Sequence, residues 1–282
     1  MQVKHIFVVG AGTMGNGIAQ TAATSGYQVS MSDISEDILK RATETIANSV
    51  EKFESKGIIT AEQKEAALAI KTSTDLNAAA EADLIVEAAT ENPALKLQLF
   101  ADLDRLAPEH TILASNTSSI SLTKIAASTN RPDKIIGMHF FNPVPLMKLL
   151  EVIRGLATSD ETTQTTIEVG TKMGKEPVEA QDSPGFISNR ILCPMINEAI
   201  YTLQEGIGTA EAIDTVMRLG MNHPMGPLSL ADLIGLDVVL FVMEVLHRDL
   251  GEDKYRPCPL LRKMVDAGYL GRKSGRGFYA YG

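Results

Sequence analysis

The sequence predicts an α/β protein in which a mostly parallel sheet with an antiparallel edge is followed by a second domain made only of helices. Three observations predict this. Short apolar runs alternate with amphipathic segments over the first two thirds of the chain, a glycine-rich turn joins the first apolar run to the first helix, and strand-like alternation then ceases until the very end. A chain of 282 residues is long enough for two domains at about 150 residues each. The spacing predicts domains over 1–182 and 183–282.

The first strand, Ile6-Phe7-Val8-Val9, runs into Gly10-Ala11-Gly12-Thr13-Met14-Gly15, and a helix is expected from Met14 to Thr24. A second strand, Gln28 to Ser32, ends at Asp33. This is the G-x-G-x-x-G pattern with a strand before it, a helix after it and an acidic residue about 20 residues on. Gly10 permits the tight turn, Gly12 lets the backbone approach a pyrophosphate, and Gly15 lets helix pack on strand. The phosphates would meet the N–H groups around Thr13 and Met14 at the positive end of the helix dipole. Asp33 suits ribose hydroxyls and would repel a 2′-phosphate, so NAD is the expected cofactor of a Rossmann-type domain.

After Asp33 a charged helix pair is predicted, Glu36 to Lys56 and Ala61 to Ala69, broken at Gly57 and restarted by Thr60 as N-cap with Gln63 three residues on. Strands then alternate with helices: Ile70 to Ser73, Asp83 to Ala88, a helix over Pro93 to Leu106, Thr111 to Ser115, a helix over Leu122 to Ala127, and Ile135 to Phe140. The proline-rich turn Asn142-Pro143-Val144-Pro145 is too short for a helical crossover to Leu149–Ile153, so these strands form an antiparallel hairpin. A turn centred near Pro145 sets His139 opposite Glu151. A helix over Asp160 to Met173 and a strand over Pro177 to Ala180 finish the first domain. Asp182-Ser183-Pro184-Gly185 supplies a turn with the cap and early proline of a new helix. Beyond it Ile191, Leu192, Met195, Ile196, Ala199, Ile200 and Leu203 recur at helical spacing, with Pro194 as an expected kink.

The composition is that of a globular protein, 44% hydrophobic and 22% charged. A net charge of −9 argues against general affinity for nucleic acid or anionic membrane, so an anionic substrate must be met by a local basic patch. Ser49, Lys52 and Lys56 share one face of the long charged helix and are the candidate patch. Cys193 and Cys258, the only cysteines, lack the clustered neighbours of a zinc site, and no metal is expected. No apolar run approaches the ~20 residues of a membrane span. A first strand so near the start leaves no room for a leader ahead of it, and a cytoplasmic enzyme is the expectation.

Of the five histidines, His139 stands apart because it lies at the carboxyl edge of the sheet, where open α/β folds bind ligands, opposite the carboxylate of Glu151. Such a pair suits acid–base work: the carboxylate fixes the tautomer and supports the imidazolium. For Glu151 a plain surface-strand carboxylate is an equally good reading of the pattern alone. The run Ala114-Ser115-Asn116-Thr117-Ser118-Ser119 ends another strand at the same edge, with small polar groups for a nicotinamide or a substrate hydroxyl.

These residues, with Gly137-Met138-His139-Phe140-Phe141-Asn142-Pro143, Asp182-Ser183-Pro184-Gly185-Phe186, His223-Pro224-Met225-Gly226-Pro227 and Gly271-Arg272-Lys273-Ser274-Gly275-Arg276-Gly277-Phe278-Tyr279, resemble the (3S)-3-hydroxyacyl-CoA dehydrogenase family, in order and over essentially the whole chain. The similarity is greatest to its short bacterial form. It implies NAD-dependent interconversion of 3-hydroxyacyl-CoA and 3-oxoacyl-CoA, with 3-hydroxybutyryl-CoA and acetoacetyl-CoA as the expected pair. It also implies a homodimer formed through the helical domain. His139 would be the general base, or acid in reduction, with Glu151 as its orienting partner. Ser118 and Asn189 would position the reacting end of the substrate. Glu91, Lys96 and Asn116 would lie near the cofactor, Lys273 would reach toward it, and Ser49 and Lys56 would meet the CoA. Two other readings stand beside this one: a dehydrogenase of the 3-hydroxyisobutyrate or 6-phosphogluconate type, whose catalytic lysine motif has no convincing match here, and a non-catalytic binding or structural protein on the same scaffold.

Overall fold

The apolar runs assemble into one sheet whose central strands, His5–Val9, Leu84–Glu87, Ile112–Ser115 and Ile135–Phe140, are buried on both faces. In the computed structural model, which describes residues 2–282, β1 (His5–Val9), β2 (Gln28–Ser32), β3 (Lys71–Ser73), β4 (Leu84–Glu87), β5 (Ile112–Ser115), β6 (Ile135–Phe140), β7 (Leu149–Arg154) and β8 (Glu176–Gln181) follow the spatial order β3-β2-β1-β4-β5-β6-β7-β8. Every neighbouring pair is parallel except β6 and β7. Helices α1 (Thr13–Thr24), α2 (Glu36–Ser55), α3 (Ala61–Leu68), α4 (Pro93–Leu106), α5 (Leu122–Ala126) and α6 (Asp160–Lys172) complete this unit, which extends through Asp182. Ile6 and Val8 join Ile18, Leu39, Ile46 and Val50 in one cluster, while Phe7, pointing to the other face, is equally buried. At the edge, β8 is mostly exposed and carries Pro177, where a missing N–H does least harm.

The helix pair α2–α3 forms as its residues require. Thr60 and Gln63 make a reciprocal capping box at the start of α3. At the end of α2, Gly57 N–H bonds Glu54 O at 2.8 Å and Ile58 N–H bonds Phe53 O at 2.9 Å, which stops the helix at Ser55 and leaves Lys56 as its cap residue rather than its last turn.

The second unit, Ser183 to Gly282, contains α7 (Ser188–Gln204), α8 (Ala210–Gly220), α9 (Pro227–Ile234), α10 (Leu236–Leu250) and α11 (Pro259–Asp266). Its first helix starts later than the sequence predicts. Gly185 and Phe186 both adopt positive φ, +75° and +49°, so Pro184 belongs to a turn and the helix begins only at Ser188. Two buried carboxylates organise this unit. Asp214 accepts the N–H groups of Leu228 and Ser229 at the start of α9, and the Tyr279 hydroxyl. Asp232, on α9, accepts the N–H groups of Phe278 and Tyr279 at 3.0 Å each and the Tyr281 hydroxyl at 2.9 Å, tying down the C-terminal segment.

Asp232→Ala should therefore release that segment and lower stability by about 3 kcal/mol, since charge-assisted bonds are lost and their donors left unmet. Asp232→Asn, which keeps an acceptor oxygen, should lose less than half as much. Denaturant unfolding of the two variants checks this, and equal losses would show that the carboxylate is not what holds the segment.

Candidate active site

The strand order reverses between β1 and β4, and the glycine turn lies at that point, leaving a recess over Gly12. Gly10 has φ +99°, and a Cβ on it would lie 2.6 Å from the backbone of Ala89. A Cβ on Gly15 would lie 1.7 Å from Gly10 O, so helix and turn touch only because both residues are glycine. Around Gly12, by contrast, nothing lies within 4 Å of the added carbon. That space is where a ligand can come close to the backbone. No side chain caps the N-terminus of α1 and no acidic residue stands in its first turn, which contains Thr13, Met14 and Gly15, so the helix end is suited to an anion. Asp33, just past β2, steadies the turn by accepting the Ala11 N–H at 2.9 Å, and it remains partly exposed. The recess, the uncapped helix and the neighbouring carboxylate fit a dinucleotide.

Beside this recess run the loops after β4 and β5. Glu91 binds across them: it accepts the Thr117 hydroxyl at 2.8 Å and the Ser118 N–H at 3.1 Å. The side-chain oxygen of Asn116 accepts the Phe140 N–H at 2.9 Å, which ties the β5 loop to β6. Lys96, on α4, is buried, and its ammonium donates to Glu87 and to Ser115.

At the carboxyl end of β6, His139 pairs in register with Glu151 of the antiparallel strand β7. Its Nδ1 lies 2.7 Å from Glu151 Oε2. Both residues are buried, Glu151 to within 2% of complete, and the imidazole lies against the Phe141 ring at a centroid distance of 4.7 Å. A buried carboxylate at that distance fixes the orientation of the ring and the tautomer with the proton on Nδ1. Ser118 lies on the β5 loop at this same sheet edge. Two other histidines of this unit are structural: His5, the first residue of β1, bonds Ser30 and Glu81 O, and His110, in the turn before β5, pairs with Asp83.

The remaining candidates belong to other elements. Asn189 is the second residue of α7, half-buried in the second unit. Lys273, in the same unit, pairs with Asp237 at 2.6 Å. Ser49 and Lys52 lie on the last half of α2, with exposed Lys56 capping it. Sequence reasoning missed Glu87 and left Ser115 without a role. The signal was present: a carboxylate ending the apolar run Leu84-Ile85-Val86 has no place in a sheet interior without a partner.

Comparison with known proteins agrees with this geometry. Residues 5–183 match the family model for the 3-hydroxyacyl-CoA dehydrogenase NAD binding domain, and residues 185–281 match the model for the C-terminal domain of the same enzymes. A probable 3-hydroxybutyryl-CoA dehydrogenase of Bacillus subtilis is 57% identical over 282 residues, covering 100% of this chain and 98% of that one. The human mitochondrial hydroxyacyl-coenzyme A dehydrogenase is 44% identical, with 99% of this chain and 91% of that one covered. The crystal structure of (S)-3-hydroxybutyryl-CoA dehydrogenase from Ralstonia eutropha superposes with a TM-score of 0.97 at 52% identity, each chain covered completely. A dinucleotide recess, a buried His–Glu pair at its edge and full-length matches to both domains lead to one conclusion: this chain belongs to the 3-hydroxyacyl-CoA dehydrogenase family.

Proposed function

We propose that this dehydrogenase interconverts (3S)-3-hydroxybutyryl-CoA and acetoacetyl-CoA, with His139 as the acid–base group and Glu151 as the residue that orients it. The observation that carries this reading is the 2.7 Å contact between His139 Nδ1 and Glu151 Oε2, buried at the edge where the cofactor recess opens. NAD, when bound through Gly10, Gly12, Thr13, Met14, Gly15 and Asp33, supplies the acceptor for the hydride leaving C3 of the substrate. With Nδ1 engaged by Glu151, proton exchange falls to Nε2. That nitrogen takes the 3-hydroxyl proton as the C3–O bond becomes a carbonyl, and returns it in reduction. Ser118 and Asn189 hold the 3-oxygen and the thioester end in line, while Glu91, Asn116 and Lys96 shape the floor beneath the nicotinamide and Lys273 approaches from the C-terminal segment.

The CoA handle is read onto the end of α2. Ser49, Lys52 and Lys56 supply a hydroxyl and two cations on a chain that is acidic overall. A cavity of about 790 Å³ supports this reading: Phe53, Ile58 and Ile59 line one end, and Pro145, Leu146, Met147 and Lys148 of the β6–β7 turn line the other. A substrate arm lying there would run from the cationic helix end toward the strands that carry His139 and Glu151. In the second unit Ile191, Val216, Leu219 and Phe241 are exposed, and this apolar surface supports a homodimer formed through the helical domain. No helix of the described residues is long and apolar enough to cross a membrane, and a cytoplasmic location is part of the proposal.

Three outcomes test this reading. His139→Ala should reduce turnover of acetoacetyl-CoA by about 10²–10⁴ while leaving NADH affinity nearly unchanged, and Glu151→Gln should act less severely and alter the pH profile of kcat. Steady-state assays with a parallel NADH titration check this, and near-normal turnover of the His139 variant would remove that residue from the mechanism. Catalytic efficiency should favour NADH over NADPH by about 10²-fold or more, because Asp33 repels a 2′-phosphate, and Asp33→Ala should narrow the gap. Equal efficiencies in the parent protein would show that the carboxylate does not select. Lys56→Ala should raise KM for acetoacetyl-CoA about three- to fivefold, more at low salt, with less effect on a truncated thioester lacking the nucleotide. An unchanged KM at low salt would take Lys56 out of the CoA site.

A further inference from the structure

One carboxylate holds the two loops that floor the cofactor recess. Glu87, the last residue of β4, is fully buried. Its Oε1 accepts the N–H groups of Ala89 at 2.9 Å and Thr90 at 3.3 Å. Its Oε2 accepts the Ser115 hydroxyl at 2.8 Å and the ammonium of Lys96. Ser115 in turn accepts the Thr117 N–H at 3.2 Å. All four lone-pair directions of the carboxylate are thereby used, each by a different donor. The loop it holds presses on the glycine turn, since the Ala89 backbone is what a Cβ at Gly10 would strike. The loop on its other side carries Asn116 and Ser118.

Stability alone does not require this arrangement. A buried ion pair is commonly no better than a neutral or apolar pair of similar volume. What such a replacement cannot supply is one small, rigid acceptor serving two consecutive backbone N–H groups and a hydroxyl on the adjacent strand. Lys96, paired with it, supplies the opposite charge beneath the recess.

We propose that Glu87 is the positioning residue of the cofactor recess: it sets the spacing and orientation of the loops after β4 and β5, and Lys96 and Ser115 act with it. This rests on the NAD-dependent reading above.

NADH fluorescence titration, amide hydrogen exchange and steady-state kinetics on the full chain, on Glu87→Gln/Lys96→Met and on Ser115→Ala test the assignment. The double variant leaves no lone buried charge and should melt near the parent temperature. Its Kd for NADH should nonetheless rise about tenfold, the worth of one lost charge-assisted bond, with faster exchange at Ala89, Thr90 and Thr117. KM for acetoacetyl-CoA should rise clearly less than the Kd for NADH, because the Ser118 N–H keeps its own bond to Glu91, and the pH profile of kcat should not move. Ser115→Ala should raise Kd about threefold at unchanged melting temperature. A folded double variant that binds NADH like the parent overturns the proposal, as does an equal rise in KM for acetoacetyl-CoA, which marks general damage. If the double variant does not fold, Ser115→Ala decides: a raised Kd supports the assignment and a parental Kd overturns it. Failure of the parent itself to bind NADH would overturn the NAD-dependent reading, and this one with it.

Discussion

The reversal of chain direction between β6 and β7 is the constraint on which the His139–Glu151 pair depends. In the parallel part of the sheet, successive strands present their carboxyl ends at one edge, and each needs a helix to return the chain. A tight turn after β6 replaces that helix, so β7 begins at the edge where β6 ends. Residues near both strand ends then face each other at ladder spacing, and His139 meets Glu151. A register shift of one residue would turn Glu151 to the opposite face and leave the imidazole without its carboxylate.

The same edge carries two buried carboxylates handled in different ways. Glu151 is met by the imidazole of His139, at 2.7 Å from Nδ1. Glu87 is compensated by a lysine and by three neutral donors, and it holds loops in place. Burying charge is costly unless its lone pairs are met, and the four donors around Glu87 meet that condition in full. Reactivity and rigidity thus come from the same side chain in different company.

Charge is organised on a longer scale as well. The protein is acidic overall, yet the end of α2 carries Lys52 and Lys56, and Phe53 of the same helix lines a cavity together with Pro145, Leu146, Met147 and Lys148 of the β6–β7 turn. Within about a Debye length such a local cluster outweighs a diffuse negative background, so it can receive a phosphorylated handle that the rest of the surface would repel.

The sequence by itself determined the sheet-then-helices architecture, the glycine turn, the capping box at Thr60 and the His139–Glu151 register, because each follows from spacing within a short stretch of chain. The late start of α7 was not legible: the positive φ of Phe186 depends on surroundings that local propensity does not encode. Nor was the role of Glu87. A carboxylate ending a buried apolar run signals that it needs a partner, but not which one, until the fold brings Ser115, from the next strand, and Lys96, from the following helix, to its Oε2. The sequence records which groups are able to bond. Only the tertiary structure decides which distant donors reach a buried acceptor, because burial and partnership are made together when the sheet closes over them.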